Sequence, residues 1–97
     1  MVPAPLKLPD ASASFDTLRD VLAFNIRTFR VGHQLSQEQL GFAAGLDRTF
    51  ISQVERAKIN VSLDNIEKLA LTLDVDPYLL FVTPTERPDL TRKVARR

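Results

Sequence analysis

Apolar residues recur every three or four positions through the middle of the chain, the spacing of one face of an α-helix. In the first such segment, about residues 15–33, they follow one another at intervals of four, four and three: Leu18, Leu22, Ile26 and Phe29. Gly32 lies near the end of this segment, where a helix commonly stops. Sustained alternation between apolar and polar residues is absent from the sequence, so the pattern favours helices over strands.

Four later helix starts share one local arrangement, in which apolar residues lie directly before a capping residue and four places after it. This spacing lets the two apolar side chains meet beside the first helical turn, as a hydrophobic staple. The capping residues accept hydrogen bonds from otherwise unpaired N–H groups and are Ser36, Asp47, Ser62 and Asp76. The apolar pairs are Leu35 with Leu40, Leu46 with Ile51, Val61 with Ile66, and Val75 with Leu80. The sequence therefore predicts an all-α bundle of five short helices.

The helical pattern covers residues 15–83, which we interpret as one domain. Residues 1–14 contain three prolines and small residues, typical of a flexible arm, and residues 84–97 form a basic tail. A chain of 97 residues is long enough for one hydrophobic core. The predicted core consists of Leu18, Leu22, Ile26, Phe29, Leu35, Leu40, Ala43, Leu46, Ile51, Val54, Leu63, Ile66, Leu69, Ala70, Leu73, Val75 and Leu79.

A short turn joins the second and third predicted helices. Gly45 supplies the left-handed conformation that ends a helix, and Leu46 begins the staple of the next one. Two short helices joined in this way form a helix-turn-helix, whose second helix enters the DNA major groove.

The third predicted helix has one apolar and one polar face. Ile51 and Val54 point inward, and the other face carries Arg48, Thr49, Ser52, Gln53 and Arg56. Arginine bonds guanine and glutamine bonds adenine through two hydrogen bonds each, while serine and threonine bond either base. Any surface helix presents a polar face to water, however, so composition alone leaves a merely solvated face as an equal alternative.

Composition narrows the other possibilities. The chain has no cysteine and one histidine, His33, which argues against disulfides, thiolate metal sites, a multi-histidine zinc site and a His-based catalytic triad, and no cofactor is expected. With no apolar run of membrane-spanning length, no membrane partner is expected, and a cytoplasmic protein is predicted. The net charge is only +1, although residues 62–83 carry −3 and residues 84–97 carry +3. Near-neutrality therefore describes a polarised molecule and does not exclude a nucleic-acid partner.

Residues 25–81 resemble the lambda-repressor/Cro-like, or xenobiotic-response-element, family of helix-turn-helix regulators. The matching strings are IRTFR, LSQEQLGFAAGLDRTFISQVERAKINVSLDNIEKLALTLDV and LF. Within that family, the run LDRTFISQVERAKINVSLDNIEKLA is most similar to controller proteins of restriction–modification systems. The resemblance implies a sequence-specific transcriptional regulator that binds double-stranded DNA as a homodimer on a near-palindromic operator, either occluding a promoter or positioning RNA polymerase.

The resemblance also implies roles for individual residues. Those expected to face base edges are Arg48, Thr49, Ser52 and Gln53. Those expected to bind phosphates are Gln37, Arg56, Lys58 and Asn60, and the family's structural ion pair maps to Arg30 and Glu55. Three positions depart from the family pattern: Gly41 replaces alanine, Phe50 replaces tyrosine, and Ala57 replaces glycine. We expect Gly41 to permit closer helix packing and Phe50 to pack partly against its neighbours.

The last predicted helix carries more apolar surface than so small a core can bury. The residues concerned are Tyr78, Leu80, Phe81 and Val82, which predicts an isologous dimer interface, with burial inside the monomer as the alternative. A second functional hypothesis is an antitoxin-like module whose arm or tail binds a toxin while DNA binding serves autoregulation. Paired acid–base residues and a phosphate-cradling glycine loop are absent from the sequence, so no enzyme activity is expected.

Overall fold

The computed structural model describes residues 15–84, and every regular element in this range is helical. The elements are α1 (Leu18–Gly32), α2 (Gln37–Ala44), α3 (Arg48–Glu55), α4 (Leu63–Leu73) and a terminal 3₁₀ helix (Pro77–Phe81). The all-α prediction is thus confirmed, but the fifth helix is a single 3₁₀ element rather than an α-helix. The predicted flexible arm and, apart from Pro84, the basic tail lie outside the described residues.

The first helix begins three residues later than the apolar spacing predicts. Thr17 caps it, because its side chain accepts a hydrogen bond from the Asp20 N–H while the Asp20 carboxylate accepts one from the Thr17 N–H. This reciprocal pair of hydrogen bonds forms a capping box, and the helix therefore begins at Leu18. Phe15 lies before the helix and packs edge-on against Phe24, with 5.1 Å between ring centroids.

The staple pattern predicts the later helix starts well. Ser36, Asp47 and Ser62 each accept a hydrogen bond from a first-turn N–H of the following helix. The second apolar residue of every staple is buried, and the first is packed half-buried against the core. The prediction for Asp76 is wrong in one respect, since its side chain makes no capping hydrogen bond to the 3₁₀ helix.

The core draws buried residues from α1, α2, α3, α4 and the 3₁₀ helix, and it differs from the predicted core at several positions. Leu18 and Leu63 are 63% and 80% exposed, because each occupies the first position of its helix, beyond the packed turns. Ala43 is also exposed, since the two-turn helix α2 packs through Leu40 and Gly41 instead. The core residues that the prediction omitted are Val21, Ala23 and Leu80.

The connection between α2 and α3 depends on two glycines. Gly45 adopts a left-handed conformation with φ of 72°, as the turn requires. Gly41 lies buried in α2, and its carbonyl accepts a 2.7 Å hydrogen bond from the Leu46 N–H. A Cβ atom at position 41 would lie 2.6 Å from the Leu46 carbonyl oxygen, a distance that side chains do not tolerate. The expected close packing at Gly41 is therefore present.

Candidate nucleic-acid interface

A buried ion pair joins α1 to the end of α3. Arg30 donates hydrogen bonds from Nε to Glu55 Oε2 at 2.6 Å and from a terminal nitrogen to Glu55 Oε1 at 3.0 Å. The two side chains are only 6% and 2% exposed. Arg30 also donates to the Leu35 carbonyl at 2.8 Å, which anchors the segment leading into α2. The predicted pair between Arg30 and Glu55 is confirmed, and its planar two-bond geometry restricts the position of α3 relative to α1.

Gln37 extends this network to α2. Its Nε2 donates a 3.1 Å hydrogen bond to Glu55 Oε1, so one carboxylate receives bonds from α1 and from the first residue of α2. Because an amide nitrogen carries two protons, this bond leaves Gln37 a second donor. The structure thus shows the bracing of α3 by Gln37.

The outer face of α3 carries the residues predicted to read bases. Arg48 and Thr49 are exposed in its first turn, and Ser52 and Gln53 are half-exposed one turn later. The opposite face is fixed in the core, where Ile51 and Val54 are buried. The four residues therefore share one solvent-facing surface, which we call the α3 outer face. The Glu55 carboxylate is held on the core side by Arg30 and adds no free negative charge to it.

The end of α3 and the loop after it present three of the residues predicted to bind phosphates. Ile59 and Val61 pack half-buried against the core, whereas Lys58 and Asn60, which alternate with them, are exposed. Arg56 at the helix end is exposed as well. Ala57 adopts φ of 57°, a left-handed conformation that costs an alanine about 1–2 kcal/mol. Hydrogen bonds from the Ala57 and Lys58 N–H groups to carbonyls of α3 hold this turn. The left-handed conformation that glycine adopts readily is therefore present at this position despite the alanine.

Phe50 lies on α3 but turns toward the core rather than the outer face. It is half-buried and packs against the core cluster. The packing interpretation of this departure from the family pattern is confirmed.

The C-terminal segment corrects one predicted interface residue. Leu80 is completely buried within the chain, so its side chain has no surface to offer a second copy. The 3₁₀ helix packs against α1, and both Leu79 and Leu80 are buried there. Leu80 therefore points inward. Tyr78 remains 57% exposed, and Phe81 and Val82 are half-buried. A further apolar side chain on α4, Leu71, is 79% exposed.

Two polar residues with structural roles were not identified from the sequence. Asn25 is completely buried in α1, and its Nδ2 donates 2.9 Å hydrogen bonds to the carbonyls of Leu80 and Val82. His33 donates from Nε2 to the Leu73 carbonyl at the end of α4, at 2.7 Å. A polar residue inside the apolar stripe of α1 was a usable signal for Asn25. The His33 contact had none, because its partner is 40 residues away.

Comparison with known proteins identifies the class that this geometry defines. Residues 26–80, more than half of the chain, match the helix-turn-helix family. The chain belongs to that family, whose members are DNA-binding regulators rather than enzymes. Within residues 15–84, no helix is both long and apolar enough to cross a membrane.

The most informative relatives are a transcription factor and two controller proteins. A hypothetical transcription factor of Neisseria meningitidis is 49% identical over 83 residues, covering 86% of this chain and 74% of its own. Its crystal structure superposes with a TM-score of 0.71 at 48% identity, covering 89% of this chain and 92% of that one. Control protein C.SmaI of Serratia marcescens is 43% identical over 74 residues, covering 75% and 88% of the two chains.

The third relative is the restriction–modification controller protein C.Esp1396I, crystallised as a tetramer with its natural 35 base-pair operator. It superposes with a TM-score of 0.62 at 30% identity, covering 69% of this chain and 88% of that one. The present chain is accordingly a helix-turn-helix regulator related to restriction–modification controller proteins.

Proposed function

We propose that this protein binds double-stranded DNA sequence-specifically as a homodimer on a near-palindromic operator and thereby controls transcription. The observation that carries this proposal is the α3 outer face, whose polar side chains stand on a helix held by Arg30, Glu55 and Gln37. A rigidly held helix with exposed hydrogen-bonding side chains is what base reading in the major groove requires.

Arg48 and Thr49 would reach base edges first, because a recognition helix enters the groove with its N-terminal residues. Ser52 and Gln53 lie one turn further along and would contact the adjacent base pairs. Arginine discriminates guanine and glutamine discriminates adenine, so the operator half-site should contain both bases.

The phosphate contacts would come from both sides of the α3 outer face. On one side, Gln37 has a second amide proton for a phosphate oxygen while its first braces Glu55. On the other side, Arg56, Lys58 and Asn60 are exposed at and after the end of α3. These groups would fix the register of the protein on the duplex without reading sequence.

A second copy would pack against the C-terminal surface, which we define by Tyr78, Phe81 and Val82. The exposed ring of Tyr78 gives this surface an apolar centre that the monomer does not cover. The crystallised assembly of C.Esp1396I on its operator supports the binding of more than one copy to DNA.

The related controller proteins make regulation of a restriction–modification system the favoured biological setting. Depending on where the operator lies, the bound dimer would occlude a promoter or position RNA polymerase. We place this action in the cytoplasm, where the DNA of the bacterial relatives lies, and expect it to need no catalysis or cofactor.

Selection of bound sequences from a random DNA library tests the proposal. We expect enrichment of an inverted repeat whose half-site centres lie about 34 Å apart, or about 10 base pairs. An Arg48→Ala variant taken through the same selection serves as the control and should lose the preferred guanine. Enrichment of a single half-site would contradict the dimer, and absence of any enrichment would contradict sequence-specific binding.

A further inference from the structure

One side chain of α1, that of Asn25, donates hydrogen bonds both to the 3₁₀ helix and to the residue after it. Asn25 uses both protons of its amide nitrogen, donating one to the Leu80 carbonyl and one to the Val82 carbonyl, each at 2.9 Å. These two carbonyls lie on either side of Phe81, so the backbone is held immediately before and after that residue.

The two hydrogen bonds of Asn25 lie where the chain leaves the 3₁₀ helix. Val82 follows the 3₁₀ helix in an extended conformation, so helical hydrogen bonding ends there. Asn25 is completely buried, and its bonds span 55 and 57 residues of sequence. The direction in which Phe81 and Val82 leave the core therefore depends on a contact with α1.

Helix α1 also fixes the recognition helix, through Arg30 and its bonds to Glu55. Asn25 and Arg30 lie little more than one turn apart on the same helix. One rigid element thus sets both the direction of α3 and the direction of the C-terminal surface. In a two-fold dimer, the separation of the two recognition helices depends on both directions.

We infer that Asn25 is a positioning residue for dimerisation: it holds the C-terminal surface in the geometry that a second copy of this chain binds. This inference rests on the proposed function. Asn25 is buried and lies away from the α3 outer face. It would nevertheless control how strongly two copies associate, and therefore how tightly the dimer binds an operator with two half-sites.

The test compares Asn25→Leu with the wild-type protein and with Thr28→Val. Leucine has the same number and branching of side-chain heavy atoms as asparagine but no N–H donors. The Thr28 hydroxyl, half-buried in the same helix, donates to the Phe24 carbonyl at 2.8 Å, so Thr28→Val removes a bond that stays within α1. Sedimentation equilibrium measures the dimer dissociation constant, circular dichroism measures folding, and titrations measure affinity for the full operator and for one half-site.

For Asn25→Leu we expect a folded protein whose dimer dissociation constant rises at least tenfold, or about 1.4 kcal/mol. Its affinity for the full operator should fall in parallel, while its affinity for one half-site stays near the wild-type value. Thr28→Val should match the wild type in all four measurements. A general loss of structure would instead lower half-site affinity as well.

The remaining outcomes separate this inference from the proposed function. An unchanged dissociation constant in folded Asn25→Leu overturns the role of Asn25 and leaves the homodimer intact. A wild-type protein that stays monomeric in solution and on the operator overturns the proposed homodimer and the inference with it. If Asn25→Leu does not fold, Asn25→Ala, which removes both donors without adding bulk or charge, replaces it. Failure of both to fold also overturns the inference, because Asn25 would then support the whole fold.

Discussion

The two regions to which we assign functions differ in the chemistry of the groups that anchor them to α1. The recognition unit, α2 and α3, is held to α1 by a buried charged network and presents polar side chains to solvent. The C-terminal surface is held to α1 by a neutral amide and presents an aromatic ring. A charged anchor is costly to break, since it leaves an unpaired buried charge, whereas a neutral anchor is cheaper to break. The comparison indicates that the orientation of α3 is the more strongly protected of the two.

The largest expected effect tests the charged anchor. Glu55→Ala should lower the free energy of unfolding by about 3–5 kcal/mol, because the Arg30 guanidinium would remain buried without its partner. Urea denaturation measures this loss. The control is Glu67→Ala, which removes an exposed glutamate of α4 and should change stability by no more than about 0.5 kcal/mol. Equal losses of stability in the two variants would contradict a special cost of breaking the buried ion pair.

Close packing within the recognition unit gives the next effect. Gly41→Ala should destabilise the protein by about 1–3 kcal/mol despite the better helix propensity of alanine, because the new Cβ would meet the Leu46 carbonyl. Gly32→Ala is the matched control, since nothing lies within 4 Å of a Cβ at the end of α1. Thermal unfolding should show Gly32→Ala as neutral or stabilised; a similar result for Gly41→Ala would contradict the close approach.

Variants of the α3 outer face and of the following loop should distinguish contacts that recognise bases from contacts that attract phosphates. Arg48→Ala should cost about 1–3 kcal/mol on the selected operator and little on random DNA. Lys58→Ala should weaken binding to both DNAs alike and reduce the salt slope by about 1. Titrations at several salt concentrations measure both quantities. If Arg48→Ala weakened both DNAs equally, Arg48 would belong with the phosphate contacts.

Two exposed aromatic residues allow the C-terminal surface to be tested directly. Tyr78→Arg should raise the dimer dissociation constant at least tenfold, or about 1.4 kcal/mol, by placing a charge at the interface. Phe42→Arg is the control, because Phe42 is 90% exposed on α2, outside the C-terminal surface. Sedimentation measures both variants. If only Phe42→Arg weakened the dimer, the interface would have to lie on α2 rather than on the C-terminal surface.

The smallest expected effect concerns the loop that follows α3. Ala57→Gly should stabilise the protein by about 0.5 kcal/mol, because relief of the left-handed alanine exceeds the added flexibility of the unfolded chain. Ala43→Gly, at an exposed position of α2, should instead destabilise it by about 1 kcal/mol. Chemical denaturation compares them, and destabilisation by both would show that the Ala57 conformation carries no strain.

The sequence by itself determined the features that depend on neighbouring residues. Staples and caps are contacts within one helical turn, so the starts of α2, α3 and α4 followed from single capping residues and their flanking apolar pairs. The polar face of α3 followed from helical periodicity. The pair between Arg30 and Glu55 followed from family resemblance, which carries information on distant contacts that periodicity lacks.

Only the tertiary structure decided which side chains near the helix ends are buried and which long-range hydrogen bonds form. Leu80 turns into the core, Leu18 and Leu63 turn out of it, and Asn25 reaches the carbonyls of Leu80 and Val82. Each outcome depends on where a helix lies along its neighbour and how it is rotated, which local spacing does not specify. The same holds for Pro77–Phe81, where burial of Leu79 and Leu80 against α1 accompanies a 3₁₀ helix in place of the predicted α-helix.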